Sequence, residues 1–183
     1  MVRVVFYDEF ADMIQFRDVA WRAMSGYDFE AVFAIANQVH PGFFEAETVL
    51  AEKFALYRNG CYLLEIGERP AGYVLSHPWT RGCLPALNAL LGEIPADADT
   101  YYIHDLALLP LTRGVGAAGQ IMAALTKHAR VMGFPTMSLV AVNGSVAFWE
   151  KQGFVREERP ELAEKLAAYE AAACYMIKEL NTA

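Results

Sequence analysis

A mixed α/β fold, one central sheet with strands running in both directions and helices packed on it, is the expectation for this 183-residue chain. Three observations carry it. The stretch "CYLLEIGERPAGYVLS" sets two strand-like runs around a turn, the pattern of an antiparallel hairpin. Further along, an apolar run, a helical run and a second apolar run succeed one another, the pattern of a strand–helix–strand unit with parallel strands. A composition of 55% hydrophobic and 20% charged residues over this length suits one domain with a substantial core that needs neither disulfides nor metals.

The elements follow in order. From Tyr27 to Val39 the residues Phe29, Val32, Phe33, Ile35, Ala36 and Val39 recur at helical spacing, and "HPG" stops the helix. A second helix is expected over about Glu45 to Tyr57, then the hairpin strands Gly60 to Ile66 and Ala71 to His77. Pro78 to Thr100 is broken by Pro85, Gly92 and Pro95 but contains "LPALNALLGEI", which predicts a loop holding a short apolar helix. Tyr101 to Leu109 reads as a strand. The stretch after Arg113 reads as a helix with Ile121, Leu125, Ala129 and Met132 near one face, closed by Gly133 and Pro135. "TMSLVAV" is a buried strand, "SVAFWEKQGF" a short helix ending in glycine, and "AACYMIKEL" a last strand.

Charge and composition narrow the function. A net charge of −7 argues against a nucleic-acid-binding surface, which needs a basic face. No apolar run is long enough to span a bilayer, and "MVRVVFYDEFAD" carries acids where a signal peptide would be basic and then apolar, so a cytoplasmic protein without a membrane partner is expected. Cys61, Cys83 and Cys174 are far apart and read as buried thiols. His40, His77, His104 and His128 show no metal-ligating spacing, so no metal is expected.

The chemistry concentrates in "RGVGAAG", Arg113 to Gly119, which spells G-x-G-x-x-G between a strand and a helix. Glycines let backbone N–H groups crowd around a phosphate, and the helix N-terminus behind them favours negative charge. A dinucleotide site also needs its first glycine directly after the strand and an acid about 20 residues on. Here Pro110, Leu111 and Thr112 intervene, and no Asp or Glu occurs between Asp105 and Glu150. A Walker loop fails as well, since no Gly-Lys-Ser/Thr follows.

What remains is an R-x-x-G-x-A spacing, Arg113, Gly116 and Ala118, followed by "VNGSVAFWEKQGF". This pair resembles the GNAT superfamily of N-acetyltransferases, most closely from about Tyr101 to Phe154. The order of elements extends the resemblance from about Met13 onward, which leaves residues 1–12 as an N-terminal extension and 13–183 as one N-acetyltransferase domain. The resemblance implies a mostly antiparallel sheet with a splay between the strand before the Arg113 loop and the strand after its helix.

It also implies acetyl-CoA as co-substrate, its pyrophosphate held by backbone N–H groups of Arg113, Gly114, Val115, Gly116, Ala117, Ala118 and Gly119. Pantetheine would lie along Leu106 and Leu108, with Asn143 and Trp149 reaching it from the far side. An N–H near Leu108 would sit by the thioester oxygen, where an aimed donor is worth a few kcal/mol. The acceptor would be a primary amine of a small molecule or peptide, and the resemblance leaves room for a homodimer.

Only the free base of an amine attacks a thioester, so a positioned base matters. The position matching the family's usual Glu is His104, beside Asp105; an imidazole titrates near neutrality and suits the role, and Asp105 is the second candidate. Adjacent strand residues face opposite ways, so the two are not expected in one pocket. Many relatives carry a Tyr after the Phe of the aromatic helix to protonate the leaving thiolate, whereas this chain has Phe148-Trp149. Indole is no useful acid. Tyr101, Tyr102, Tyr169 or solvent would have to serve, and the alternative is a non-catalytic acyl-CoA-binding module. Trp79, Leu87, Leu90 and Leu91 would form part of the acceptor wall.

Overall fold

A computed structural model describes residues 19–180; the expected extension over 1–12 and the start of the domain at 13 lie outside the described residues. Among the described residues, one seven-stranded sheet in the order β1-β2-β3-β4-β5-β7-β6 organises the fold. Its strands are β1 (Val19–Ala23), β2 (Cys61–Ile66), β3 (Arg69–Trp79), β4 (Thr100–Leu108), β5 (Thr136–Ala141), β6 (Val155–Arg156) and β7 (Cys174–Glu179). Neighbours are antiparallel except β4 and β5, which are parallel because helix α3 (Ala117–Val131) crosses between them. The hairpin turn stands on Gly67 and Glu68, both at positive φ, the twist a two-residue connection needs.

The two faces of the sheet bury separate cores. On one, α1 (Phe29–Val39) and α2 (Glu47–Leu56) set Val32, Ile35, Leu50 and Phe54 against Leu63, Tyr73 and Leu75. On the other, Ile121, Met122, Leu125 and Ala129 of α3 pack on Val74, Tyr101, Ile103, Met137 and Leu139. Met132, expected on this apolar face, is instead exposed, because α3 ends at Val131 and the chain turns away at Gly133. Beyond β5 come the short α4 (Val146–Lys151) and α5 (Ala163–Ala167).

The structure corrects further expectations. Residues 80–99 form turns and no helix, since Asn88 and Gly92 both take positive φ and interrupt the apolar run. Side chains hold this loop in place of a helix: Glu52 accepts from the N–H groups of Leu91 (2.7 Å) and Gly92 (2.9 Å), and Asn88 Oδ1 accepts from Ala46 N–H (2.7 Å). Cys83 lies in the same surface loop and is exposed, Cys174 is half-buried, and only Cys61 is a buried thiol.

Candidate active site

Strands β4 and β5 touch only where Tyr101 pairs with Met137 and Tyr102 with Ser138. Beyond that point β4 runs on to Leu108 and β5 to Ala141 without meeting, so the expected splay is present and one edge of β4 keeps unpaired backbone groups. A slot of about 450 Å³ fills the gap, walled by Leu106, Leu108, Arg113, Asn143, Phe148 and Trp149 among others. Asn143 takes positive φ just past β5, a conformation Asn tolerates, and Trp149 is buried edge-on against Phe148 and Phe154.

At the far end of the slot, Arg113 to Gly116 leads into α3. Gly116 caps the helix at φ +74, and among the described residues no side chain caps the first-turn N–H groups. No neighbouring atom of the described residues lies within 4 Å of where a Cβ would stand on Gly114, Gly116 or Gly119, so among them the space above the loop is open. A second cavity, about 560 Å³, lies there against Arg113, Gly114, Gly116, Ala117 and Ala118, and shares Leu108, Arg113 and Phe148 with the slot. Val115 and Gly119 are not among its walls, and the Val115 side chain packs instead against Leu64, Ala71 and Ala117. Trp21 of β1 fastens the start of α3, its indole N–H donating to Ala117 O at 2.8 Å.

The other end of the slot opens on a third cavity, of about 60 Å³, lined by Glu45, Leu87, Tyr102 and Tyr169 among others. His40, His104 and Asp105 line both this cavity and the slot, and so stand at their junction. Of the loop residues expected in the acceptor wall, only Leu87 reaches this cavity; Trp79 packs edge-on against His77. Tyr101 is buried against Ser76 and does not line it.

His104 and Asp105 share the junction, against the expectation from strand alternation. Asp105 pairs with Leu75 and Ile103 with Ser76, so β4 advances two residues where β3 advances one. The extra residue is His104. Tyr102 and His104 share a face by alternation, and the extra residue brings Asp105 round to that face as well.

Two histidine–carboxylate pairs result. His104 Nε2 lies 3.0 Å from Glu45 Oε2, while Nδ1 is buried with no hydrogen-bond partner among the described residues. His40 Nε2 lies 2.9 Å from Asp105 Oδ1, an ion-pair distance without the alignment of a linear hydrogen bond, and its Nδ1 is 3.3 Å from Asn143 Nδ2. Tyr73 donates its hydroxyl proton to the other oxygen of Asp105. Beneath them Lys53, 1% exposed, places Nζ 3.4 Å from Glu45 Oε1. His40, Glu45, Lys53 and Tyr73 had no signal in the sequence beyond their types: His40 sits in the helix stop "HPG", and the others in apolar or helical runs.

Burial pushes the Glu45 carboxyl upward, but His104 and Lys53 outweigh it and bring it down to about 2 from 4.5. A lowered carboxyl contributes stability that is present above pH 4.5 and lost as pH falls toward 2. Glu45→Gln is therefore expected to lose roughly 3 kcal/mol at neutral pH, since Lys53 stays buried without its counter-charge. It should also flatten the acid side of the stability curve between pH 4.5 and 2. Denaturant titration across that range checks both; an acid slope equal to that of the wild type would remove Glu45 from the pair.

The model of the acetyltransferase (GNAT) family matches residues 29–154. With the splay and the loop in place, the chain belongs to that family. Among solved structures, similar folds include Ard1 from Thermoplasma volcanium, with a TM-score of 0.68 at 16% identity over 89% of this chain and 98% of that one. The ribosomal-protein-S18-alanine N-acetyltransferase from Escherichia coli gives 0.63 at 15% identity over 90% and 96%. N-acetylglutamate synthase from Neisseria gonorrhoeae, complexed with coenzyme A and N-acetyl-glutamate, gives 0.66 at 16% over 89% of this chain and 35% of that one. No curated protein matches the chain in sequence.

Proposed function

We propose that the protein transfers an acetyl group from acetyl-CoA to a primary amine of a small molecule or peptide. The observation that carries this reading is the line of three cavities with shared walls, glycine loop to splayed slot to acceptor cavity, with His104 at the second join. Acetyl-CoA supplies the acyl thioester. The first-turn N–H groups of α3 and Arg113 suit its pyrophosphate, and the unpaired edge of β4 along Leu106 and Leu108 suits the amide-bearing pantetheine arm. The N-acetylglutamate synthase neighbour, crystallised with coenzyme A, supports the choice of ligand.

The acceptor cavity has room for only a few waters, so it fits the narrow end of an unbranched amine. Glu45 and Asp105 in its wall favour a cation entering, and His104, oriented by Glu45, takes the amine proton. Trp149 is a wall and not an acid. Trp149→Phe is expected to keep turnover within about threefold of the wild type, because the edge-on packing with Phe148 and Phe154 is partly kept. A loss of a hundredfold in the steady-state rate would give Trp149 a part in the chemistry.

Thermal unfolding tests the ligand. A ligand that binds only the folded state stabilises it by about 2.7 kcal/mol at 100 times its Kd, roughly 5 to 10 °C in Tm for a domain of this size. CoA and acetyl-CoA are expected to give such a shift, and NAD and NADP none. A shift with NAD alone would end the acetyltransferase reading.

A further inference from the structure

The junction holds two histidine–carboxylate pairs, and removing one proton from an amine needs only one. We propose that His40, set against Asp105 where slot and acceptor cavity meet, donates the proton that the leaving thiolate takes up. The inference rests on the acetyl-transfer reading of the same site.

Position comes first. His40 lines both the slot and the acceptor cavity, and its Nε2 is engaged by Asp105. In the neutral ring Nδ1 accepts from the Asn143 amide of the slot wall at 3.3 Å; when Nδ1 takes up a proton, that amide must turn over, so that its oxygen and not its NH2 faces the ring. The side chain is 18% exposed, so the ring can recover a proton from solvent after each turnover. The hydrogen bond from Tyr73 holds the Asp105 side chain in place beside the ring. Burial alone would lower the affinity of His40 for a proton, but Asp105 of β4 and Glu45 ahead of α2 reverse that and raise it above the ordinary value. His104 of β4 and Arg113 of the loop are the other titratable groups facing the same slot.

The competing donors are poorer. Tyr169 already donates to Pro85 O at 2.5 Å, and burial pushes its phenol up to about 12. Burial also pushes the Tyr102 phenol upward. A thiol of ordinary pKa about 8.5 is a weaker base than either phenolate, so these phenols give up a proton to it uphill, whereas an imidazolium gives it downhill.

The step balances. The ammonium form of the acceptor first gives one proton through His104 to solvent; its free nitrogen then bonds to the acetyl carbon, and the surplus proton left on that nitrogen goes to His104, neutral again. The carbon–sulfur bond breaks with its electron pair on sulfur, and that pair takes the proton from His40 Nδ1.

Two readouts test the proposal, one of them independent of turnover. A cationic ring beside the sulfur holds a thiol or thiolate better than a methyl group. Wild-type protein is therefore expected to bind CoA at least tenfold more tightly than desulfo-CoA at pH 8, and His40→Gln to bind the two equally, by calorimetric titration. In kinetics, kcat should fall on the alkaline side as His40 loses its proton. His40→Gln should remove that limb and lower the neutral-pH kcat by ten- to a hundredfold with acceptor KM little changed, and Asp105→Asn should move the limb to lower pH. Equal affinities of the wild type for CoA and desulfo-CoA, or an alkaline limb that persists in His40→Gln, would overturn the proposal. If no amine is acetylated, the acetyl-transfer reading falls, and the two affinities still decide whether His40 meets the sulfur.

Discussion

Gly116→Glu is expected to abolish the rise in Tm that CoA produces in the wild type. Gly116 caps α3 at φ +74 beneath open space, so a side chain there costs roughly 1–2 kcal/mol in backbone strain and projects into the space proposed for the pyrophosphate. A carboxylate adds like-charge repulsion at the helix end that would hold an anion. Gly116→Ala separates the two effects: it carries the strain without the charge, and should fold with a similarly lowered Tm while keeping a weakened CoA shift. Undiminished CoA affinity in a folded Gly116→Glu protein would remove the loop from the site.

His104→Ala is expected to leave the CoA shift near that of the wild type and to lower kcat by about 10² to 10⁴, the usual contribution of a positioned base. The deficit should shrink as pH rises, because more of the acceptor is then already free base. The ring stands at the junction on the face it shares with Tyr102, and Glu45 at 3.0 Å orients it. Initial rates across pH 6 to 10 check the sign of the trend. A flat deficit, or a loss of CoA affinity as large as the loss of rate, would make His104 a structural residue.

Much of the frame was legible in the sequence because its signals are local. The hairpin announced itself by a turn between strand-like runs, and α3 by its period and its closing glycine. The Arg113 loop was legible for the same reason: its glycines serve backbone geometry that is set within a few residues. The slot lining at Leu106, Leu108, Asn143 and Trp149 followed from the resemblance, and the structure brings those residues to one cavity.

What stayed hidden depends on contacts between distant segments. Strand β1 is a five-residue edge, "VAWRA", whose hold on α3 through Trp21 joins residues 96 apart in the chain. Asn88 breaks an apolar run that looks helical because it caps Ala46 from across the fold. The bulge at His104 is settled by the register between β3 and β4, so alternation alone put His104 and Asp105 on opposite faces. Glu45 and His40 reach the junction only through the docking of α1 and α2 on the sheet, and no spacing along the chain links them to β4.

If the junction of His40, His104 and Asp105 moves an acetyl group onto an amine, the purified protein acetylates one without further components. Incubating the purified protein with acetyl-CoA and a panel of primary amines and short peptides, with release of CoA thiol followed beside mass spectrometry of the amines, tests it most directly. Catalytic CoA release is expected that depends on an added amine, yields its N-acetyl product and is reduced in His104→Ala. CoA bound by the wild type with no amine acetylated would contradict it and leave a module that holds acyl-CoA without using it.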